Sequence, residues 1–164
     1  MTDRKAEIIA ITERIGRFYD MGARWTILAG MAGHESRHPK TLIWGASEIA
    51  VKLNNFFGYK WPGSSCNRPY EHMDSNEEDA KGAIKLVKSK FIKYPSLENS
   101  VDHMARTLMF SGNYFSFRRM LDSGESDELL LREIARVHAT DSGYAGKVKL
   151  RIAEIDKLRG GVVA

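Results

Sequence analysis

Three observations in the sequence predict one mainly helical α+β domain. Apolar residues recur at helical spacing along most of the 164 residues, serines stand where those stretches begin and glycines where they end, and one stretch, Cys66 to Tyr94, fits either a helix or strands. The length fits a single domain over 1–164, and neither an internal repeat nor a linker-like stretch divides it.

Each element has its own signal. Ile8, Ile11, Ile15 and Phe18 mark a first helix, stopped around Asp20-Met21-Gly22. A second, from about Arg24 to Ser36, carries Trp25, Ile27, Leu28, Met31 and Ala32 over much of its surface, the pattern of a central core helix limited by Pro39. Ser47 caps a short third helix with Ile49, Ala50 and Leu53, after which Asn54 to Gly63 reads as loop. Between Cys66 and Tyr94, Ala80, Ile84, Val87 and Phe91 suit a helix, while Val87, Ser89 and Phe91 alternating with Lys88 and Lys90 suit a strand, so periodicity leaves both open. Ser96 caps a helix with Val101, Met104, Ala105 and Leu108; a short aromatic helix follows Asn113 through Leu121; Ser126 opens another with Leu130, Ile134 and Val137. The last helix uses Val148, Ile152, Ile155 and Leu158, with Asp141 or Ser142 as its cap and a frayed tail expected beyond Gly160.

With 43% hydrophobic and 28% charged residues and only 4 prolines, the composition excludes a disordered or low-complexity chain. No apolar run approaches the roughly 20 residues of a membrane span. Met1 to Glu7 is too polar for a secretory signal, so synthesis as a soluble cytoplasmic protein without stable membrane insertion is expected. The single cysteine, Cys66, excludes an internal disulfide and a cysteine-based zinc cage. A formal charge of +4 and a pI near 9.2 favour approach to an anionic polymer, whether nucleic acid, a membrane face or bacterial wall. The basic residues are scattered and form no stripe, which counts against nucleic acid.

Glu35 is the most informative residue, because it stands four after Met31, seven after Leu28 and eight after Ile27, on an apolar stripe. Apolar surroundings and the negative end of the helix dipole both disfavour its ionised form, which suits a general acid. The competing reading is a helix-end glutamate that reaches solvent or pairs with Arg37. From Phe56 to Trp61, the rings of Phe56, Phe57, Tyr59 and Trp61 surround Gly58 and cannot all bury in one direction, so some face a ligand; aromatic faces suit the apolar faces of sugar rings. Phe56 and Phe57 are the expected core pair. Glu71, Asp74, Glu77, Glu78 and Asp79 form an acidic run, ordinarily solvated surface. His138, at a helix end, reads first as a locally satisfied side chain.

The blocks Leu28 to Ser36 (LAGMAGHES), Asn54 to Lys60 (NNFFGYK), Phe91 to Ser100 (FIKYPSLENS) and His138 to Val148 (HATDSGYAGKV), in this order, resemble glycoside hydrolase family 73 from about residue 20 to 158. These are the endo-β-N-acetylglucosaminidases of bacterial walls, including the peptidoglycan hydrolase domain of the flagellar rod assembly protein and related phage enzymes. The resemblance implies a lysozyme-like α+β fold with a small β-hairpin lobe at about 66–94. It implies Glu35 as general acid and a second glutamate ahead of a glycine turn in the lobe, where Glu78 before Gly82 fits best and Glu77 is the fallback. His138 stands where the family has a tyrosine that assists near the reacting sugar, and a histidine there still donates a hydrogen bond while titrating near neutral pH. Arg37-His38-Pro39 replaces the family's usual Gly-Trp-Gly-like turn.

The implied reaction is hydrolysis of peptidoglycan glycan strands between N-acetylglucosamine and N-acetylmuramic acid. Glu35 donates to the leaving oxygen, and the second carboxylate activates water unless the substrate's acetamido group takes that part. Asn55, Phe57, Tyr59, Trp61 and Tyr144 are the candidates for contact with the sugars. Neither metal nor cofactor is needed, and a monomer is expected. Many family members carry a signal peptide and wall-binding repeats, so a phage endolysin released by a holin, or a lysin delivered by a virion, is the expected setting. The alternatives are a muramidase or lytic transglycosylase on the same fold, or a non-catalytic wall-binding phage protein.

Overall fold

Seven helices and one hairpin make up the computed structural model, which describes residues 2–139 and 141–160. In chain order these are α1 (Lys5–Phe18), α2 (Trp25–Glu35), α3 (Glu48–Leu53), β1 (Tyr70–Glu78), β2 (Ile84–Ile92), α4 (Leu97–Phe110), α5 (Phe115–Asp122), α6 (Asp127–His138) and α7 (Tyr144–Gly160). Short 3-10 turns at Gly22–Arg24 and Gly112–Tyr114 lead into α2 and α5. The expected tail beyond Gly160 lies outside the described residues.

The caps act as their chemistry requires. Ser47 Oγ accepts from the Ala50 N–H at 3.2 Å, and Ser96 and Ser126 do the same for Asn99 and Leu129 at 3.3 Å, satisfying donors that a helix start leaves free. Helix α2 is the centre. Trp25 and every residue from Ile27 to Gly33 are buried, with α1 on one side and α7 on another. Gly30 permits the α7 approach: a Cβ there would stand 2.8 Å from Ile152 Cγ1 and 3.0 Å from Val148 Cγ1. Helices α4, α5 and α6 complete the wall around it.

Two sequence expectations change. Phe18 is 77% exposed, because Thr12, hydrogen-bonded to the Ile8 carbonyl at 2.7 Å, takes the inward place between Ile8 and Ile15. Leu158 is also exposed, in the last turns of α7 beyond Ile155.

The ambiguous stretch is an antiparallel hairpin. Its register pairs Tyr70 with Ile92, Met73 with Ser89 and Glu77 with Lys85. Asp79 shapes the turn by accepting the N–H groups of Lys81 and Ala83 at 2.9 and 3.0 Å, with Gly82 at a φ of 79°. Only the base of the hairpin is packed, where Met73 and Phe91 meet Leu53 and Ile49. Its distal half is open on one face, with Ile84 73% and Leu86 71% exposed.

Candidate active site

A cleft of about 610 Å³ opens between the helical body and the hairpin. Its lining includes His34 and Glu35 from α2, Phe57 to Lys60 from the following loop, Glu77 from β1, Thr107 from α4, and His138, Asp141 and Tyr144 around the start of α7.

Glu35 is the last residue of α2, and the helix stops there because Ser36 is fixed by other contacts. The Ser36 N–H still bonds the Ala32 carbonyl at 3.0 Å, its hydroxyl accepts from the Gly45 N–H at 3.0 Å, and its carbonyl accepts from the Ser47 N–H at 2.8 Å. The Glu35 side chain is 25% exposed, and Oε1 lies 3.4 Å from His138 Nε2. This is an ion pair when the imidazole is protonated, and Glu35 makes no ion pair with Arg37 among the described residues. Gly58, at a φ of 64°, brings the loop against the acid: a Cβ there would stand 3.6 Å from Glu35 Oε2.

Tyr144 sits behind the carboxylate, its ring 5.5 Å from that of His34 and 5.4 Å from that of His138. Burial first, and the Glu35 carboxylate second, push its phenol well above the ordinary value, so the hydroxyl keeps its proton. It is buried with no hydrogen bond of ordinary geometry. Burial also lowers the pKa of His34. Asp141 accepts the Gly143 N–H at 2.8 Å ahead of α7 and pairs with Lys147, which lowers its pKa further into the ionised range.

The acidic run divides by strand parity. Met73, Ser75 and Glu77 share the inward face of β1, whereas Asp74, Asn76 and Glu78 share the exposed one. Glu77 therefore lines the cleft, and Glu78, the better fit by resemblance, lies on the opposite face with its Oε1 near Gly82. Lys60 forms a salt bridge with Glu77, and the Ser75 hydroxyl donates to it at 3.1 Å; the Lys60 hydrogen bond, against some desolvation, lowers the Glu77 pKa. Glu71 pairs with Lys93 at 2.6 Å, and Asp79 belongs to the turn.

The five sugar-contact candidates separate as well. Tyr59 and Tyr144 line the cleft. Phe57 also borders it, but both Phe57 and Tyr144, 1% and 2% exposed, belong to the core, whereas Tyr59 is only half-buried. Asn55 is buried as a clip: its Nδ2 donates to the carbonyls of Tyr59 and Ile92, both at 2.9 Å, and its Oδ1 accepts the Tyr59 N–H at 2.9 Å. Both polar atoms of the Asn55 side chain are thereby engaged with the main chain. Trp61 is outside the cleft lining. The segment pairs with β2 there, so Lys60 and Trp61 point to opposite sides, and Trp61 packs on Tyr70 with ring centroids 4.4 Å apart under Lys90. Lys60 is the residue the sequence reading passed over. Its place in the cleft depends on the pairing of this segment with β2, which a segment read as loop does not announce.

Residues 14–157 match the family described as mannosyl-glycoprotein endo-β-N-acetylglucosaminidase, the glucosaminidase family. The chain belongs to this family. Among glucosaminidase relatives, the exo-glucosaminidase LytG of Bacillus subtilis (strain 168) is 30% identical over 115 residues, covering 69% of this chain and 39% of that protein. The chain thus spans about two fifths of the curated relative's length. The fold is shared with three solved structures. A peptidoglycan hydrolase mutant from Sphingomonas sp. A1 gives a TM-score of 0.69 at 18% identity, covering 97% of this chain and 99% of that one. The catalytic domain of the autolysin Auto from Listeria monocytogenes gives 0.67 at 21%, covering 95% and 86%. The glycoside hydrolase domain of FlgJ from Salmonella typhimurium gives 0.62 at 20%, covering 99% and 93%. The chain is thus a glucosaminidase-family domain with a lysozyme-like arrangement of helices and hairpin.

Proposed function

We propose that the cleft hydrolyses the glycan strand of peptidoglycan on the reducing side of N-acetylglucosamine, with Glu35 as general acid and Glu77 as the second carboxylate. The observation that carries this reading is the pairing of two carboxylates of opposite setting in one cleft. Glu35 closes an apolar helix, while Glu77 is kept ionised by Lys60. Glycoside hydrolysis uses such a pair, one group to protonate the leaving oxygen and one to act from the other face of the sugar. Here Glu35 protonates the glycosidic oxygen as oxocarbenium character develops, and Glu77 takes a proton from the attacking water. His138, 3.4 Å from Glu35, supports the acid and offers a hydrogen bond to the substrate. Tyr59 and Tyr144 border the space for the sugar rings. The wall is anionic, and the chain's +4 charge favours encounter with it.

The decisive experiment digests purified sacculi, reduces the products with borohydride and identifies the new ends by mass spectrometry. Reduced N-acetylglucosamine ends are expected. Reduced muramic ends would move the cleaved bond, anhydro ends would replace hydrolysis by transglycosylation, and no product from folded protein would leave a wall-binding role. Fragments of mixed length are expected from internal cleavage, and disaccharides alone would mean attack from a strand end.

A further inference from the structure

Behind the cleft wall lies a half-buried titratable side chain that the reaction above does not use. His103, on α4, is outside the cleft lining, yet its imidazole is stacked flat on the ring of Tyr59, with centroids 4.4 Å apart and an angle of 12° between planes. Its Nδ1 shares a 2.6 Å hydrogen bond with the Tyr94 hydroxyl. One turn on, Thr107 Oγ1 donates to the His103 carbonyl at 2.8 Å and accepts the Tyr59 hydroxyl at 2.7 Å. The Tyr59 main chain is fixed too, by the Asn55 clip and by the Ile92 N–H donating to its carbonyl at 3.0 Å.

We infer that His103 is a positioning residue for the cleft: it holds Tyr59 as a flat, immobile platform for the apolar face of a sugar ring beside Glu35. The inference rests on the glycan-cleaving reading of the cleft. One face of the Tyr59 ring is covered by the imidazole, and its hydroxyl is committed to Thr107. What remains toward the cleft is an apolar ring face with no free hydrogen-bonding group, one residue from Gly58 and its close approach to Glu35. Such a surface recognises the C–H face of a pyranose. A platform already ordered before binding loses little entropy when the sugar arrives. Histidine suits the place because it supplies both an aromatic face for Tyr59 and a hydrogen-bonding nitrogen for Tyr94, which an aliphatic residue does not. Burial, aided by the charge of Arg68, pushes its pKa down to about 4, so the imidazole is uncharged at neutral pH.

The test measures binding with hydrolysis silenced. In a Glu35→Gln background, isothermal titration with a soluble tetramer of β-1,4-linked N-acetylglucosamine compares the parent with His103→Ala, His103→Phe and Thr107→Val. We expect the Kd to rise about tenfold for His103→Ala and about threefold for Thr107→Val, and to stay within about twofold for His103→Phe, which restores the stacking face. A purely structural role would lower the unfolding temperature and leave the Kd of the folded fraction where it was. His103→Ala binding like the parent, or His103→Phe binding as weakly as His103→Ala, overturns the inference. If His103→Ala does not fold, the other two variants decide: Thr107→Val at parental affinity, or His103→Phe at tenfold weaker affinity, overturns it equally. A parent that binds no tetramer also overturns the platform. Failure of the cleavage reading shows separately, as absence of new reducing ends from sacculi treated with the wild type.

Discussion

Helix α2 and the β1–β2 hairpin each bring one carboxylate to the cleft, on supports of opposite kind. Around Glu35 the helix is buried on nearly every side, and the residue after it is tied by three hydrogen bonds. Around Glu77 the strand pair is packed only at its base, and the side chain is oriented by Lys60 and Ser75. Glu35 is thus placed by close packing, which salt and pH barely touch, and Glu77 by polar contacts at the surface, which both affect. One carboxylate is carried by the core and the other by a strand pair that solvent reaches.

The largest test of this contrast is Glu35→Gln, which removes the proton donor and keeps the shape. Turnover on sacculi should fall by about a thousandfold with an unchanged unfolding transition, and retained turnover would remove α2 from the chemistry. Glu77→Gln should cost about a hundredfold in kcat while Glu78→Gln stays within about twofold. The reverse order would mean that the hairpin presents its other face to the substrate.

This pair of variants also marks how far the sequence could be read. Helix positions were legible because burial repeats every three to four residues and because Ser47, Ser96 and Ser126 carry their own caps. Periodicity did not reveal the hairpin, since its distal half buries neither Ile84 nor Leu86 and so leaves no clean alternation, and it was the family resemblance that implied it. Glu78, the better fit by resemblance, and Glu77, the fallback, are one residue apart, which in a strand puts them on opposite faces. Met73, the buried residue of β1, fixes the parity once the strand is known. Asn55 and Trp61 had the right chemistry for sugar, but a three-bond backbone clip and a stack beneath Lys90 are tertiary facts that no local pattern encodes.

Next in size is a test of the packed support. Gly30→Ala puts a methyl against Ile152 and Val148 and should cost about 1–3 kcal/mol of stability in denaturant unfolding, whereas Leu86→Ser on the open hairpin face should stay within about 0.5 kcal/mol. Equal costs would mean that the two regions are supported alike. The smallest effect should come from Lys60→Met. Lys60 lowers the Glu77 pKa, so in the wild type the carboxylate stays ionised further down the acid range. Without the ammonium it takes a proton at a higher pH, and the acid limb of the kcat profile should move upward while kcat at neutral pH changes little. A limb that stays in place would assign it to another group.

The close approach at Gly30 also bears on when the enzyme comes into being. The partners that seat α2 are Val148 and Ile152, more than a hundred residues later in the chain. A ribosome that has made the helix of the acid and the hairpin of its counterpart has not yet made the surface against which that helix is fixed, nor His138 and Tyr144 beside Glu35. From Glu77 until Tyr144 the emerging polypeptide therefore carries both carboxylates without a formed cleft, which is completed only when α7 is made. Fragments that end before Tyr144 should accumulate as harmless, protease-sensitive chains.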